Sequence, residues 1–243
     1  MIDPSDNDRL AWVTGASRGI GRAVALKLAE RGIPLALIAR SKSDLEQVAL
    51  DVERLGGKSI VFPVDLSQIA VLPQQLEQVL ALAGSCRLLI NNAGMGYTAN
   101  AVDTPVEDWQ RTLDLNLTAA WLCMKAVIPG MRDRGGGTIA NVISIAGKQA
   151  FPGWSAYCAS KFGLLGLSKA VAQEEREHHI RVTAFCPGAV NSSLWDTPTV
   201  QADFDRAGML SVETVAESLV QTVLLPDSAV VDELVLMPSG GAF

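Results

Sequence analysis

Two side chains four positions apart in "SAYCASKFG" (155–163) are the first place in this chain where chemistry can be read. Residues i and i+4 share a helix face, so Tyr157 and Lys161 can meet. A free phenol loses its proton at a pKa of about 10, too high for easy exchange at neutral pH. A neighbouring cation favours the phenolate and can lower that value by about 1–3 units. The pair is then a workable general acid and base. The alternative reading is a surface Tyr–Lys pair. Ser144 closes an apolar run upstream, where its hydroxyl can hydrogen-bond a carbonyl oxygen that gains negative charge; the alternative is a cap or turn. Asn116 lies inside the helical pattern "RTLDLNLTAAWL". Asn is a mediocre helix former, and a buried amide needs partners, so it is either functional or a polar core residue.

A second constellation is "TGASRGIG" (14–21). Gly15, Gly19 and Gly21 permit a tight turn and close backbone approach. A helix starting there offers free N–H groups and positive dipole to a pyrophosphate. The spacing is G-x-x-x-G-x-G, and another kind of glycine-rich connection remains open. About 20 residues further on, an acid would bind the ribose 2′-hydroxyl of NAD. Ala39-Arg40-Ser41 stands there instead. A guanidinium suits a 2′-phosphate, and Arg18 is a second candidate. Both arginines point to NADP(H), unless they are ordinary surface residues.

These groups need elements to hold them. Apolar strand-like runs at 10–14, 34–39, 59–65, 87–94, 137–144, 180–188 and 229–237 alternate with helical patterns. The helices are expected after the glycine turn, from a cap at Ser43 to Gly56, and over about 70–83, 106–133, 155–178 and 211–224. Apolar strands separated by helices predict an α/β fold: a doubly wound parallel sheet of about seven strands, covered on both faces, in one domain.

Composition narrows the function. The chain has 243 residues, 49% of them hydrophobic, enough for a large core. A net charge of −6 argues against a general nucleic-acid surface and against an acidic protein partner. Arg132 and Arg134 are the local exception, or a solvated helix end. Cys86, Cys123, Cys158 and Cys186 have no metal-site spacing and read as small hydrophobes, so no metal is expected. The start, "MIDPSDNDRL", lacks an apolar leader core, and no apolar run reaches the roughly 18 residues of a membrane span. A cytoplasmic protein is expected.

TGASRGIG, Asn91-Asn92-Ala93-Gly94, Asn116, Ser144, Tyr157-Cys158-Ala159-Ser160-Lys161 and Pro187-Gly188 occur in order. Together they resemble the short-chain dehydrogenase/reductase family in its compact single-domain form, over essentially the whole chain. The resemblance implies reversible hydride transfer between NADP(H) and a small carbonyl substrate. Tyr157 would be the acid, Lys161 its modulator and ribose ligand, Ser144 the carbonyl polariser, and Asn116 the holder of a relay water. Cofactor contacts would come from Gly15, Ser17, Arg18, Gly19, Ile20, Gly21, Arg40, Ser41, Leu66, Ala93 and Gly94. Asp65 would lie near the adenine and Asn91 near its ribose. Pro187, Gly188, Val190 and Ser192 would frame the nicotinamide. Residues 191–210 would form a substrate lid carrying Trp195 and Phe204, with Phe151, Trp154, Met95 and Tyr97 as further apolar walls.

Two substrate readings compete. A 3-oxoacyl-carrier-protein reductase is weakened by the acidic surface and the ending "VVDELVLMPSGGAF". A sepiapterin-reductase-like enzyme shares the tail and the "PGAV…LW" stretch, but Ala242 follows Gly241 where those enzymes can anchor the pterin with Asp. A silent NADP(H)-binding regulator is the reading from another class, although it would be expected to lack Tyr157 or Lys161. A hydrolase on Ser144 would need a suitably placed His, and His178 and His179 fall at a helix end. The small residues Ala159, Gly163 and Gly166 imply a homotetramer or homodimer by resemblance, or close packing within one chain.

Overall fold

The computed structural model describes residues 10–202 and 205–240. Seven parallel strands form one sheet: β1 (Ala11–Thr14), β2 (Leu35–Ala39), β3 (Ser59–Pro63), β4 (Leu88–Asn91), β5 (Gly137–Val142), β6 (Ile180–Pro187) and β7 (Glu233–Leu236). Their order is β3-β2-β1-β4-β5-β6-β7. This is the expected doubly wound Rossmann-type sheet. The strand order reverses between β1 and β4, where such sheets open a crevice at their carboxyl ends.

The central strands are apolar on both sides because both faces are covered. Ala11 and Val13 pack with α1 (Gly19–Ala29), α2 (Lys42–Arg54) and α7 (Val212–Val223). Leu10 and Trp12 point the other way, toward α3 (Leu72–Ala83), α5 (Ala119–Asp133) and α6 (Ser155–Glu174). All four cysteines are buried with free thiols. Among the described residues no helix is long and apolar enough to cross a membrane, and no group of three or more His, Cys, Asp or Glu side chains could hold a metal.

Several expected boundaries move, each for a local reason. The cap of α2 is Ser41, which accepts from the Asp44 N–H at 3.3 Å, not Ser43. The last strand does not begin at residue 229, because Arg181 gathers the carbonyls of Leu225, Pro226 and Ala229 at 2.8–3.0 Å and bends the chain around its guanidinium. α6 stops at Glu174, and residues 176–178 form a separate 3₁₀ turn. There Glu175 is buried and receives two hydrogen bonds from Arg132, at 2.6 and 2.7 Å. That pairing offsets the charge of Arg132, whose side chain stays 45% exposed. The expected long helix over 106–133 is real but interrupted: α4 (Val106–Leu113) runs into a widened π turn at Asp114–Thr118 before α5.

Candidate active site

The carboxyl ends of β1, β4, β5 and β6 open into a cavity of about 930 Å³. One end is the glycine turn. Gly15 has φ +65°, and a Cβ there would lie 2.8 Å from Asn92 Nδ2 and 2.9 Å from Ala93 Cα. At Gly21 a Cβ would meet the Gly15 carbonyl oxygen at 2.2 Å. Glycine is therefore required at both positions for the turn to lie against the segment after β4. Thr14 locks the two together: its Oγ1 donates to the Ile90 carbonyl and accepts from the Asn92 and Ala93 N–H groups at 3.0 Å. The Asn92 amide donates to the carbonyls of Thr14 and Gly15. Thr14 and Asn92 had no assigned task in the sequence reading, and their role emerges only when β1 and β4 stand side by side.

α1 begins at this turn with neither a side-chain cap nor an acid in its first turn. Helix first-turn N–H groups lack intrahelical acceptors. At Gly19, φ +54°, a Cβ would have Ser192 Cβ at 3.8 Å as its sole close neighbour, so the turn is open on that side. This donor set and cradle fit a pyrophosphate. Arg18 and Arg40 are exposed beside it and have no carboxylate partner among the described residues. Asp44 shares that rim.

The catalytic candidates stand on other elements. Ser144 lies just past β5, and its Oγ accepts from the Ala146 N–H at 3.1 Å. The Ser144 hydroxyl is near enough to the Tyr157 phenol to favour its phenolate, and both side chains line the cavity. Gly147 lets this turn press on α6, since a Cβ there would lie 2.8 Å from the Lys161 carbonyl oxygen. Lys161 is buried, with Nζ donating to the Val142 carbonyl at 3.0 Å and lying 5.7 Å from the Tyr157 ring centroid.

The proton energetics differ from the sequence expectation of a phenol lowered by its lysine. Burial pushes the Tyr157 phenol up to about 12, with the nearby Ser144 hydroxyl opposing it. Burial also pulls Lys161 down to about 8. In the protein alone, desolvation outweighs the cation because it penalises both charged forms.

Of the expected site residues, Ser17, Ile20, Ser41, Asp65, Leu66, Ala93, Gly94, Pro187, Gly188, Val190 and Ser192 line the cavity, along with Gly15, Arg18, Gly19, Arg40, Ser144, Tyr157 and Lys161. Gly21, Asn91 and Asn116 do not. Gly21 acts through packing. Asn91 points into the core, donating to the Ala120 carbonyl and to Asn141 Oδ1 at 2.9 Å. Asn116 spends its amide on protein partners: Oδ1 accepts from Met95 N at 2.8 Å, and Nδ2 donates to Met95 O and Ser160 Oγ at 3.0 Å. It clamps the segment after β4 to α6. Of the suggested apolar walls, Met95, Phe151, Trp154 and Trp195 line the cavity, whereas Tyr97 is buried outside it. Phe204, Gly241 and Ala242 lie outside the described residues. Arg111, which the sequence reading did not single out, also lines the cavity and pairs with Asp108 at 3.3 Å.

A parallel sheet with a dinucleotide-sized crevice at its switch point, and a Ser–Tyr–Lys group inside it, defines a class of nucleotide-dependent oxidoreductases. The short chain dehydrogenase family profile matches residues 9–202, and the chain belongs to that family of NAD(P)-dependent dehydrogenases and reductases. It is 33% identical over 236 residues to a sepiapterin reductase of Chlorobaculum tepidum, covering 94% of this chain and 96% of the relative. It is 35% identical over 187 residues to a 3-oxoacyl-[acyl-carrier-protein] reductase of Synechocystis sp., 76% of each chain. A metagenomic short-chain oxidoreductase solved with NADP superposes with a TM-score of 0.83 at 31% identity, over 97% of this chain and 99% of that one.

Proposed function

We propose that this protein reduces a ketone or aldehyde to an alcohol at the expense of NADPH: R₂C=O + NADPH + H⁺ → R₂CHOH + NADP⁺. The observation that carries the reading is that Ser144, Tyr157 and Lys161, from three places in the chain, line the one cavity that the glycine turn opens. When bound, the dinucleotide supplies a hydride, with its two electrons, to the carbonyl carbon.

The protein's own groups do the rest. Ser144 and Tyr157 hydroxyls converge on the carbonyl oxygen, whose growing negative charge they stabilise. Tyr157 gives up its proton to that oxygen. A phenol held high by burial is fully protonated at neutral pH, as an acid must be before it acts. Lys161 steadies the resulting phenolate. The widened turn at Asn116 is proposed to hold, through its backbone, the water that returns a proton toward Lys161; its side-chain amide serves the clamp. Gly15, Gly19 and the start of α1 would hold the pyrophosphate, and Arg18 and Arg40 the 2′-phosphate that makes NADPH the preferred cofactor. Asp65, Leu66, Ala93 and Gly94 would line its adenosine side, and Pro187, Gly188, Val190 and Ser192 its nicotinamide side.

Residues 191–210 are proposed as the substrate lid. Thr199 ties this segment to the post-β4 loop through the Thr98 N–H and the Gly96 carbonyl, at 2.9 and 2.8 Å. Self-association to a dimer or tetramer is supported by Trp109, Trp121 and Phe162, which α4, α5 and α6 leave exposed. Gly163 also packs within the chain, where a Cβ would lie 2.8 Å from the Leu117 side chain. A cytoplasmic location is supported by four free thiols. A second reading, reduction of a pterin, is favoured by the likeness to sepiapterin reductase over 94% of this chain.

The test is NADPH oxidation by the purified protein across ketones, β-keto esters, 3-oxoacyl thioesters, quinones and pterins. Tyr157→Phe is expected to lose at least about 100-fold in turnover while still binding NADPH. Undiminished reduction by that variant overturns the acid assignment. Silence with every class, together with tight NADPH binding, replaces the enzyme with a nucleotide-binding regulator.

A further inference from the structure

A second cavity, of about 320 Å³, opens at the opposite end of the sheet from Tyr157. The strands are parallel, so their amino ends gather there. Arg87 immediately precedes β4, Arg181 is the second residue of β6, and Asp232 immediately precedes β7. Arg176 opens the 3₁₀ turn after α6 and His179 closes it, in the left-handed conformation at φ +57°. Gly136, at φ +141°, brings the segment before β5 against that turn: a Cβ there would lie 2.6 Å from the His179 carbonyl oxygen. Four separate parts of the chain therefore bring Arg87, Arg176, His179 and Arg181 to one cavity.

These groups are not equivalent. Arg181 is fully committed. Its Nε and Nη2 donate to Thr138 Oγ1 at 3.2 and 2.8 Å, and its Nη1 donates to the carbonyls of Leu225, Pro226 and Ala229. Its charge is offset by Asp227 at 3.4 Å. Arg87 gives one N–H to the Gly136 carbonyl and has no carboxylate partner among the described residues. Arg176 is exposed, and among the described residues neither it nor the His179 ring has a hydrogen-bond or ion-pair partner. Asp232 also lines the cavity and is exposed, with no cationic partner among the described residues. One carboxylate against two guanidiniums leaves this cavity positive in a chain whose net charge is −6. A concave site lined by one sign of charge draws counter-ions.

We infer that this cavity binds a small tetrahedral oxyanion of the phosphate class, held by Arg87 and Arg176, with the His179 ring as a third donor. A guanidinium fork matches one edge of a phosphate. A tetrahedral anion offers separate edges to two forks, whereas a planar carboxylate offers one. The site stands at the far end of the strands from the carbonyl-reductase reading and does not depend on it.

The chain has two histidines, so the ring signals of ¹³C-histidine-labelled protein can be assigned with His178→Gln. Orthophosphate, titrated at fixed pH and ionic strength, is expected to move the His179 signal saturably, and acetate or chloride is not. Because the signal is local to this end of the sheet, phosphate bound at the glycine turn does not produce it. Arg176→Ala is expected to weaken the binding at least about 10-fold, the loss of one charged donor, with an unchanged Tm showing that the fold survives. Asp232→Asn is expected to tighten it about 2- to 5-fold, because an exposed like charge is removed. A His179 signal that phosphate leaves in place overturns the inference, as does an equal response to acetate, equal affinity in Arg176→Ala, or weaker binding in Asp232→Asn.

Discussion

Lys161, buried as a cation, is held in the folded protein at the expense of stability. Its folded pKa of about 8 lies below the ordinary 10.5. Between those values the unfolded chain holds a proton that the native protein has released, so native stability rises with pH across that window. Lys161→Met is expected to be the more stable protein at pH 7, by on the order of 1–3 kcal/mol. That advantage should shrink as pH climbs from about 8 to 10.5, while NADPH oxidation is lost throughout. Urea unfolding at pH 7 and pH 10 measures it; a pH-independent difference would mean that lost packing, not the buried charge, sets the value. Arg40 is the other residue with a decisive test. Arg40→Asp should weaken NADPH by at least about 10-fold more than NADH, because a carboxylate repels the 2′-phosphate and suits the 2′-hydroxyl. Titration of both by fluorescence checks this, and an equal change in the two affinities would remove Arg40 from the phosphate site.

At the scale of the element, α2 illustrates why a cap is hard to read by composition. Ser41 and Ser43 are both plausible caps. The chain leaves β2 at Ala39, and the extended conformation at Ser41, with φ −81° and ψ 109°, puts its hydroxyl on the Asp44 N–H. Ser43 is already inside the helix. Ser41→Ala is expected to lower stability by about 1 kcal/mol, and Ser43→Ala by much less. Thermal melts of the two variants decide it, and a larger loss at Ser43 would contradict the capping geometry. The interrupted helix at 106–133 is a second case. Its apolar spacing reads as one continuous helix. The π turn at Asp114–Thr118 widens where Asn116 must face Met95 and Ser160 together, and such bulges concentrate at functional sites.

Across the whole molecule, the site depends on α6 being held to the sheet. Asn141, fully buried in β5, accepts from Asn91 in β4 and donates to Ser168 in α6 at 2.8 Å. Ser168 in turn donates to the Leu164 carbonyl at 2.6 Å. This polar chain crosses an apolar core and joins the two central strands to the helix that carries Tyr157 and Lys161. Asn141→Ala should destabilise the protein by about 2–4 kcal/mol, since it opens a cavity and leaves buried groups short of a partner. Denaturant unfolding measures the loss; a change below about 0.5 kcal/mol would show that the network contributes register and little stability.

The sequence alone determined the layered architecture, the single parallel sheet and the Ser144, Tyr157 and Lys161 constellation. Apolar period, glycine spacing and the i, i+4 rule are local properties, and they survive folding unchanged. It did not determine which asparagine faces the cavity and which the core, how Thr14 and Asn92 pin the glycine turn, which serine caps α2, or that two indoles from separate loops meet beside Tyr157. Those outcomes depend on residues far apart in the chain arriving at one point. The balance of proton affinities was likewise settled in three dimensions. Burial outweighs the charge of a neighbouring lysine, and burial is a property of the packed molecule, not of the spacing between two residues.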